Sequence, residues 1–320
     1  ILFRQGKGRR WWKANAVLAV AAVLAVAANS PNLYNTYKYS KESMRGTHSE
    51  LSDGGNGASV NSAGGLNKDY ITAWSYGKSE TFSLLIPNVK GGATIKPEKG
   101  GNKLLALSET DAAEELQKSG AISGDTAAYL QQLPQYFGDQ PMTNGPVYVG
   151  ALIMALFILG CIIVKGPIKW MLLIVTILSI ALSWGHNMMW LTDLMIDHMP
   201  MYNKFRTVAS ILVVAEFTIP LLAMLALKEL VDHRNEWQRF KTPIFISFGL
   251  CLAICALGIA APSVFGSYLS AQEHEAYVVG GIAQQYPQLF SAIQSVRMSM
   301  VSDDALRSFL IVASGACCIF

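Results

Sequence analysis

The sequence predicts a mainly α, polytopic helical membrane protein with one sizeable extracytoplasmic α/β or irregular loop region. Three observations carry that prediction. Of 320 residues, 52% are hydrophobic and 15% charged, with a mean hydropathy of +0.31, which is too apolar for an ordinary soluble domain. The apolar residues gather into runs near the roughly 20 residues that a bilayer-crossing helix needs. One long polar stretch, 30–145, interrupts them.

The N-terminal flank, 1–29, holds Arg4, Lys7, Arg9, Arg10 and Lys13 before the run ANAVLAVAAVLAVAA. A basic cluster beside an apolar run marks the cytoplasmic side, and Trp11 and Trp12 supply an interfacial belt, so this is the first span, running outward. The 30–145 region is then an external loop domain. Its ten basic and twelve acidic residues exclude a polyanion-binding domain, and the scattered net charge of +3 excludes nucleic acid as a partner. Within it, 52–65 is a Gly/Ser/Asn loop, and WSYGKSETFSLLIPNVKGG reads as a short strand or helix against a turn at Pro87 and Asn88. Ser108 followed by Asp111 predicts a capped helix ending at Gly120, and a second helix is expected over 125–133.

Spans two to five fall within 146–265, with Lys165 and Lys169 in one internal loop and Lys228, Arg234, Arg239 and Lys241 in the next. An interfacial or re-entrant segment, 185–205, interrupts them on the outer side. An external loop, 266–307, and a truncated sixth span, 308–320, complete the chain. Because it begins at Ile1 and stops within FLIVASGACCIF, it reads as an internal piece of a longer protein, located in a bacterial inner membrane as a multi-pass chain. The five cysteines, Cys161, Cys251, Cys255, Cys317 and Cys318, all sit in apolar runs and read as core residues.

Candidate chemistry concentrates in 183–220. Lys204 and Arg206 lie on the external side against the positive-inside trend, and are expected at the N-terminus of the fourth span, where backbone N–H groups favour an anion. Both suit a lipid phosphate, although such residues also snorkel to headgroups as ordinary anchors. Glu216, four residues before Pro220, is an intramembrane carboxylate, a functional or a hydrogen-bonded structural group. Asp193 and Asp197 share a helix face at i, i+4 and form a candidate polar site with His186 or His198; a wet face on an interfacial helix is the blander reading. No compact His/Cys set suggests zinc. Gly77-Lys78-Ser79 imitates the end of a phosphate-binding loop, but Thr72 stands where its first glycine belongs, which rejects it.

The blocks YNTYKYSKESMRG, AWSYGKSETFSLLIPNVKGG, YFGDQPMTNGPVYVGA and LSWGHNMMWLTDLMIDHMPMYNKFRTVASILVVAEFTIPLLA together resemble the bacterial YfhO family of polytopic membrane proteins, through about Leu230. The resemblance implies a GT-C-like glycosyltransferase that uses a polyprenyl-phosphate-linked sugar to modify an envelope polymer or lipid acceptor. It implies an acidic base or metal partner in a first external loop that lies outside this chain, so no catalytic residue is carried over. No cofactor is identified, and a divalent metal is compatible with the family. On this reading Lys204 and Arg206 bind the donor phosphate, while Trp74 and Tyr76 shape the acceptor side. The rivals are a transporter or lipid flippase centred on Glu216 and Pro220, which should show repeated halves, and a non-catalytic scaffold, which should lack a membrane-face cavity.

Overall fold

The computed structural model describes residues 8–41, 66–99, 101–199, 202–266 and 268–319. The Gly-rich 52–65 loop, and Arg4 and Lys7 of the basic flank, lie outside them. The chain divides into two compact units, one comprising 1–72 with 194–206 and the other 73–193 with 207–320. Helix dominates, as predicted.

In the first unit, α1 (Gly8–Ala28) contains the Ala/Val run, where Ala is the best helix former and no proline intervenes. It is long and apolar enough to cross a membrane. Helix α2 (Ser30–Lys41) follows where a loop was expected, because Pro31 falls in its first turn, the place where a helix tolerates proline. The four-residue α3 (Lys68–Ile71) is capped by Asn67, whose side chain accepts from the Asp69 amide. The Leu66 amide donates to the Asn203 carbonyl, tying this turn to the 194–206 stretch.

The second unit begins with a 3-10 turn, Ser79–Leu84, and a hairpin of β1 (Ile95–Glu98) and β2 (Gly101–Leu104), antiparallel with Ile95 opposite Leu104. The hairpin is too short and polar to have shown itself by alternation. Helix α4 (Asp111–Lys118) is capped by Thr110, which accepts from the Ala113 amide, rather than by Ser108; residues 107–109 form a 3-10 turn that delays the start. Helix α5 (Gly124–Leu130), capped by Ser123, stops three residues short of the expected end, and the Leu133 carbonyl instead accepts from the Leu107 amide.

The apolar run 146–164 is helical only as α6 (Ala151–Ile163), since Gly150 adopts φ +103 and breaks the chain ahead of it. Its 13 residues reach roughly 20 Å at 1.5 Å each, short of a hydrocarbon core about 30 Å thick. Helix α7 (Pro167–Ser183) runs into α8 (Met189–His198) through a 114° bend at Gly185, so the expected interfacial or re-entrant segment is a broken helix. The division between units falls inside α8. Helices α9 (Leu212–Asp232) and α10 (Trp237–Ala260) follow, both long and apolar enough to cross a membrane. With α1 they make three such helices among the described residues, or four if the bent pair counts as one span, where five and a partial sixth were expected. The chain is thus that of a membrane protein.

The expected external loop 266–307 is only partly a loop. After α11 (Ala271–His274), a π-helical turn and α12 (Ile282–Gln285), the chain forms α13 (Pro287–Ile319), one helix of 33 residues that joins the predicted loop to the predicted last span. Polar residues such as Arg297 and Asp304 hid it, because they face protein rather than lipid: Arg297 is fully buried, and Asp304 accepts from the Asn88 amide.

Small residues let the long helices approach. A Cβ at Gly160 on α6 would lie 2.8 Å from the Leu222 carbonyl of α9, and one at Gly258 on α10 would lie 2.8 Å from Ala305 of α13. Thr176 of α7 is hydrogen-bonded to Thr218 of α9 at 2.7 Å, which satisfies two buried hydroxyls. One apolar core fills this bundle, and a second, containing Leu107, Leu130, Ile293 and Val296, lies under α4, α5 and the first half of α13.

Candidate functional site

The polar centre of the second unit is the carboxylate of Glu80. It is 3% exposed, and its Oε1 accepts from the Tyr136 hydroxyl at 2.6 Å while its Oε2 accepts from the Gly77 amide at 2.7 Å. Two glycines make the room. A Cβ at Gly138 would lie 2.6 Å from Glu80 Oε1, and one at Gly77 would lie 3.1 Å from Glu80 Oε2 and 3.0 Å from Asp139 Oδ2. The two carboxylates therefore sit less than about twice that distance apart. Burial holds the Glu80 carboxyl above the usual carboxylate range, against the lowering effect of the Tyr136 and Gly77 hydrogen bonds.

The end of α7 knits this segment in place. The Tyr76 amide donates to the Ser183 carbonyl, the Trp184 indole to the Thr81 hydroxyl, and the His186 amide to Ser75 Oγ. Asn187 Nδ2 reaches both the Tyr76 carbonyl, at 3.1 Å, and Asp139 Oδ2, at 3.0 Å. Gly185, at φ +44, is required here because a Cβ would strike Ser75 and Val208.

Two cavities flank the cluster. An open one of about 570 Å³ is lined by Asp139, His186, Asn187 and Glu273; a smaller one of about 190 Å³ is lined by Tyr76, Glu80, Ser83 and Lys90. Tyr136 and Gln140 line both and form their common wall. Lys90 is buried, and desolvation pulls its ammonium below the ordinary lysine range even though Asp139 and Glu80 pull the other way. Burial likewise pushes the Tyr136 phenol upward, so it acts as a hydrogen-bond donor.

The residues singled out from the sequence are distributed as follows. His186 lines the larger cavity. Asp193 and Asp197 both lie on α8, but the unit division runs between them, and Asp197 is exposed. His198 Nδ1 lies 3.0 Å from the Leu194 carbonyl on the same helix. Glu216 is exposed on α9 and lines neither cavity. Tyr76 is 2% exposed, is hydrogen-bonded to Ser83 and lines the smaller cavity; Trp74 is half-buried, and its carbonyl accepts from the Ala209 amide.

Lys204 and Arg206 are not at a helix N-terminus. Thr207, in the left-handed region at φ +72, and a 3-10 turn over Val208–Ile211 delay α9 to Leu212, and both cations belong to the first unit. There Arg206 donates from Nη1 to the Tyr70 hydroxyl at 2.8 Å, with its guanidinium carbon 5.5 Å from the Tyr70 ring centre.

Sequence reasoning passed over Glu80, Lys90, Tyr136 and Asp139. The available signal was a glycine beside each acid, in Gly77-Lys78-Ser79-Glu80 and Gly138-Asp139. The phosphate-loop mimic turns its glycine amide onto its own glutamate. Among the described residues no group of three His, Cys, Asp or Glu side chains could hold a metal ion, and both Glu80 oxygens face protein donors, so this cluster does not fit one. Comparison with known protein families, curated proteins and solved structures finds no match.

Proposed function

We propose that this chain belongs to a multi-pass inner-membrane glycosyltransferase-like enzyme that moves a sugar from a polyprenyl-phosphate donor to an envelope polymer or lipid acceptor on the outer face. The observation that carries the reading is Asp139, an exposed carboxylate at an open polar cavity, oriented by Asn187 and backed by the buried Glu80 and Tyr136. Glycosyl transfer needs such a group. The acceptor oxygen bonds to the anomeric carbon while the bond from that carbon to the donor phosphate oxygen breaks; the acceptor proton passes to Asp139, and polyprenyl phosphate leaves with the electron pair. Burial raises the Glu80 carboxyl above the usual carboxylate range, which disfavours a second negative charge beside that proton transfer.

Lys204 and Arg206, in the first unit, are taken by themselves as candidate phosphate-binding cations in this reading. The support is the clamp of Tyr70 on Arg206, which limits the entropy lost when a guanidinium meets an oxyanion. A second reading, transport, is favoured by one observation: the 114° break between α7 and α8, of the kind that transporters use at substrate sites.

The test is transfer of radiolabelled sugar from a polyprenyl-phosphate donor pool by the full-length protein in membranes. Asp139→Asn is expected to lower transfer by roughly 10²- to 10⁴-fold, and Arg206→Ala to raise the donor KM. Wild-type transfer by Asp139→Asn removes the base, and no transfer by the unmodified protein across varied donors turns the balance to transport.

A further inference from the structure

A third cavity, of about 540 Å³, lies apart from the Glu80 cluster at the edge of the second core, between α5 and the α12 to α13 turn. We propose that it is a binding groove for a neutral oligosaccharide. Its walls are Tyr129 and Tyr286, with Ile282 and Leu289 between them and Asp125 and Gln285 at the polar edge. Tyr286 is 56% exposed at this cavity, which leaves its ring accessible to a stacking partner. Among the described residues, the side chains of Asp125, Gln285 and Tyr286 engage no protein partner.

That combination matches a sugar. A pyranose presents an apolar C–H face that packs on an aromatic ring, and vicinal hydroxyls that pair with planar carboxylate and carboxamide groups offering two polar atoms each. Among the described residues no lysine or arginine lines the groove, and Asp125 adds negative charge, which together disfavour phosphates and acidic glycans. The volume falls in the range of about 300–1,000 Å³ typical of small-molecule sites.

The backbone is shaped for the purpose. The π-helical turn Glu275–Val279 and Gly281, at φ +77, redirect the chain into α12, and Pro287 holds Tyr286 out of helical geometry at φ −129 and ψ 66. Tyr277 from the π turn lies within hydrogen-bond distance of Tyr129, hydroxyl to hydroxyl at 3.3 Å, which ties the Tyr129 wall to the π turn. The ring of Tyr286 is thus presented by a preorganised turn rather than by a fraying end.

The inference stands apart from sugar transfer, because binding is read without a donor. The full chain, reconstituted in lipid nanodiscs free of glycosidic detergent, is titrated calorimetrically with maltotetraose, cellotetraose, chitotetraose and an acidic hyaluronan tetrasaccharide. At least one neutral probe is expected to bind, with affinity reduced tenfold or more in Tyr286→Ala and in Asp125→Ala and within threefold of wild type in Tyr286→Phe; the acidic probe is expected to bind more weakly. No binding by any neutral probe overturns the proposal. So does unchanged binding in Tyr286→Ala, whose folding is checked by its thermal unfolding midpoint.

Discussion

Glu80 shows how one buried side chain organises its surroundings. Removing it as Glu80→Ala leaves the buried Tyr136 O–H and Gly77 N–H donors without their acceptor, and each orphaned donor costs about 1–3 kcal/mol. The expected outcome is a clear fall in unfolding midpoint, measured by intrinsic fluorescence in detergent. Glu80→Gln, which keeps shape and hydrogen-bonding capacity, is expected to lose less. The pH dependence follows from the raised folded value: the neutral carboxyl is the favoured buried form, so its stabilisation is fully present below the unfolded value of about 4.3 and is lost as pH rises through the folded one. Glu80→Gln should flatten that alkaline-going loss. An unchanged pH profile would exclude Glu80 as its source.

At the scale of elements, the spanning bundle depends on close helix approach rather than on oily bulk. Gly160 is in the middle of α6, where glycine is a poor helix former, and it is there because the Leu222 carbonyl of α9 occupies the space that a Cβ would need. Gly160→Val is expected to separate α6 from α9 and destabilise by about 1–3 kcal/mol, as overpacking does. A half-buried glycine, Gly249 on α10, has nothing near its Cβ position, and Gly249→Ala should raise stability by up to about 1 kcal/mol through helix propensity. Parallel thermal melts of the two variants in one detergent check both signs.

For the second unit as a whole, α13 joins the bundle to the loops above it. Ser308 donates to the Leu85 carbonyl, Asp304 accepts from the Asn88 amide, and Arg297, fully buried, holds Glu273 with two hydrogen bonds of 2.7 and 2.8 Å while donating to the Tyr268 carbonyl. Arg297 also lies over the Phe137 ring, its guanidinium carbon 4.8 Å from the centre, which places it directly behind the Glu80 cluster. Arg297→Met leaves Glu273 without its partner, and breaking such a pair costs about 3–5 kcal/mol. The double variant Arg297→Met, Glu273→Met is expected to recover much of that loss, which a double-mutant cycle of unfolding free energies would measure.

Local chemistry in the sequence determined a good deal at this same scale. Apolar runs rich in strong helix formers made α1, α9 and α10 legible, and a cap-like Ser108–Asp111 pattern made α4 legible although the cap is Thr110, because both signals act between near neighbours in the chain. The long helix α13 was not legible, since its buried Arg297 and half-buried Asp304 resemble a loop until the Tyr268 carbonyl and Asn88 amide that meet them are known. Nor was the meeting of Glu80 with Tyr136 and Asp139, or of Tyr129 with Tyr286. Those pairs are far apart along the chain, and their encounter depends on how α7 bends at Gly185 and how α13 packs. The sequence by itself determined the apolar runs and the helices within them; only the tertiary structure decided which polar groups lose their water together, because desolvation and hydrogen-bond pairing depend on distance in space.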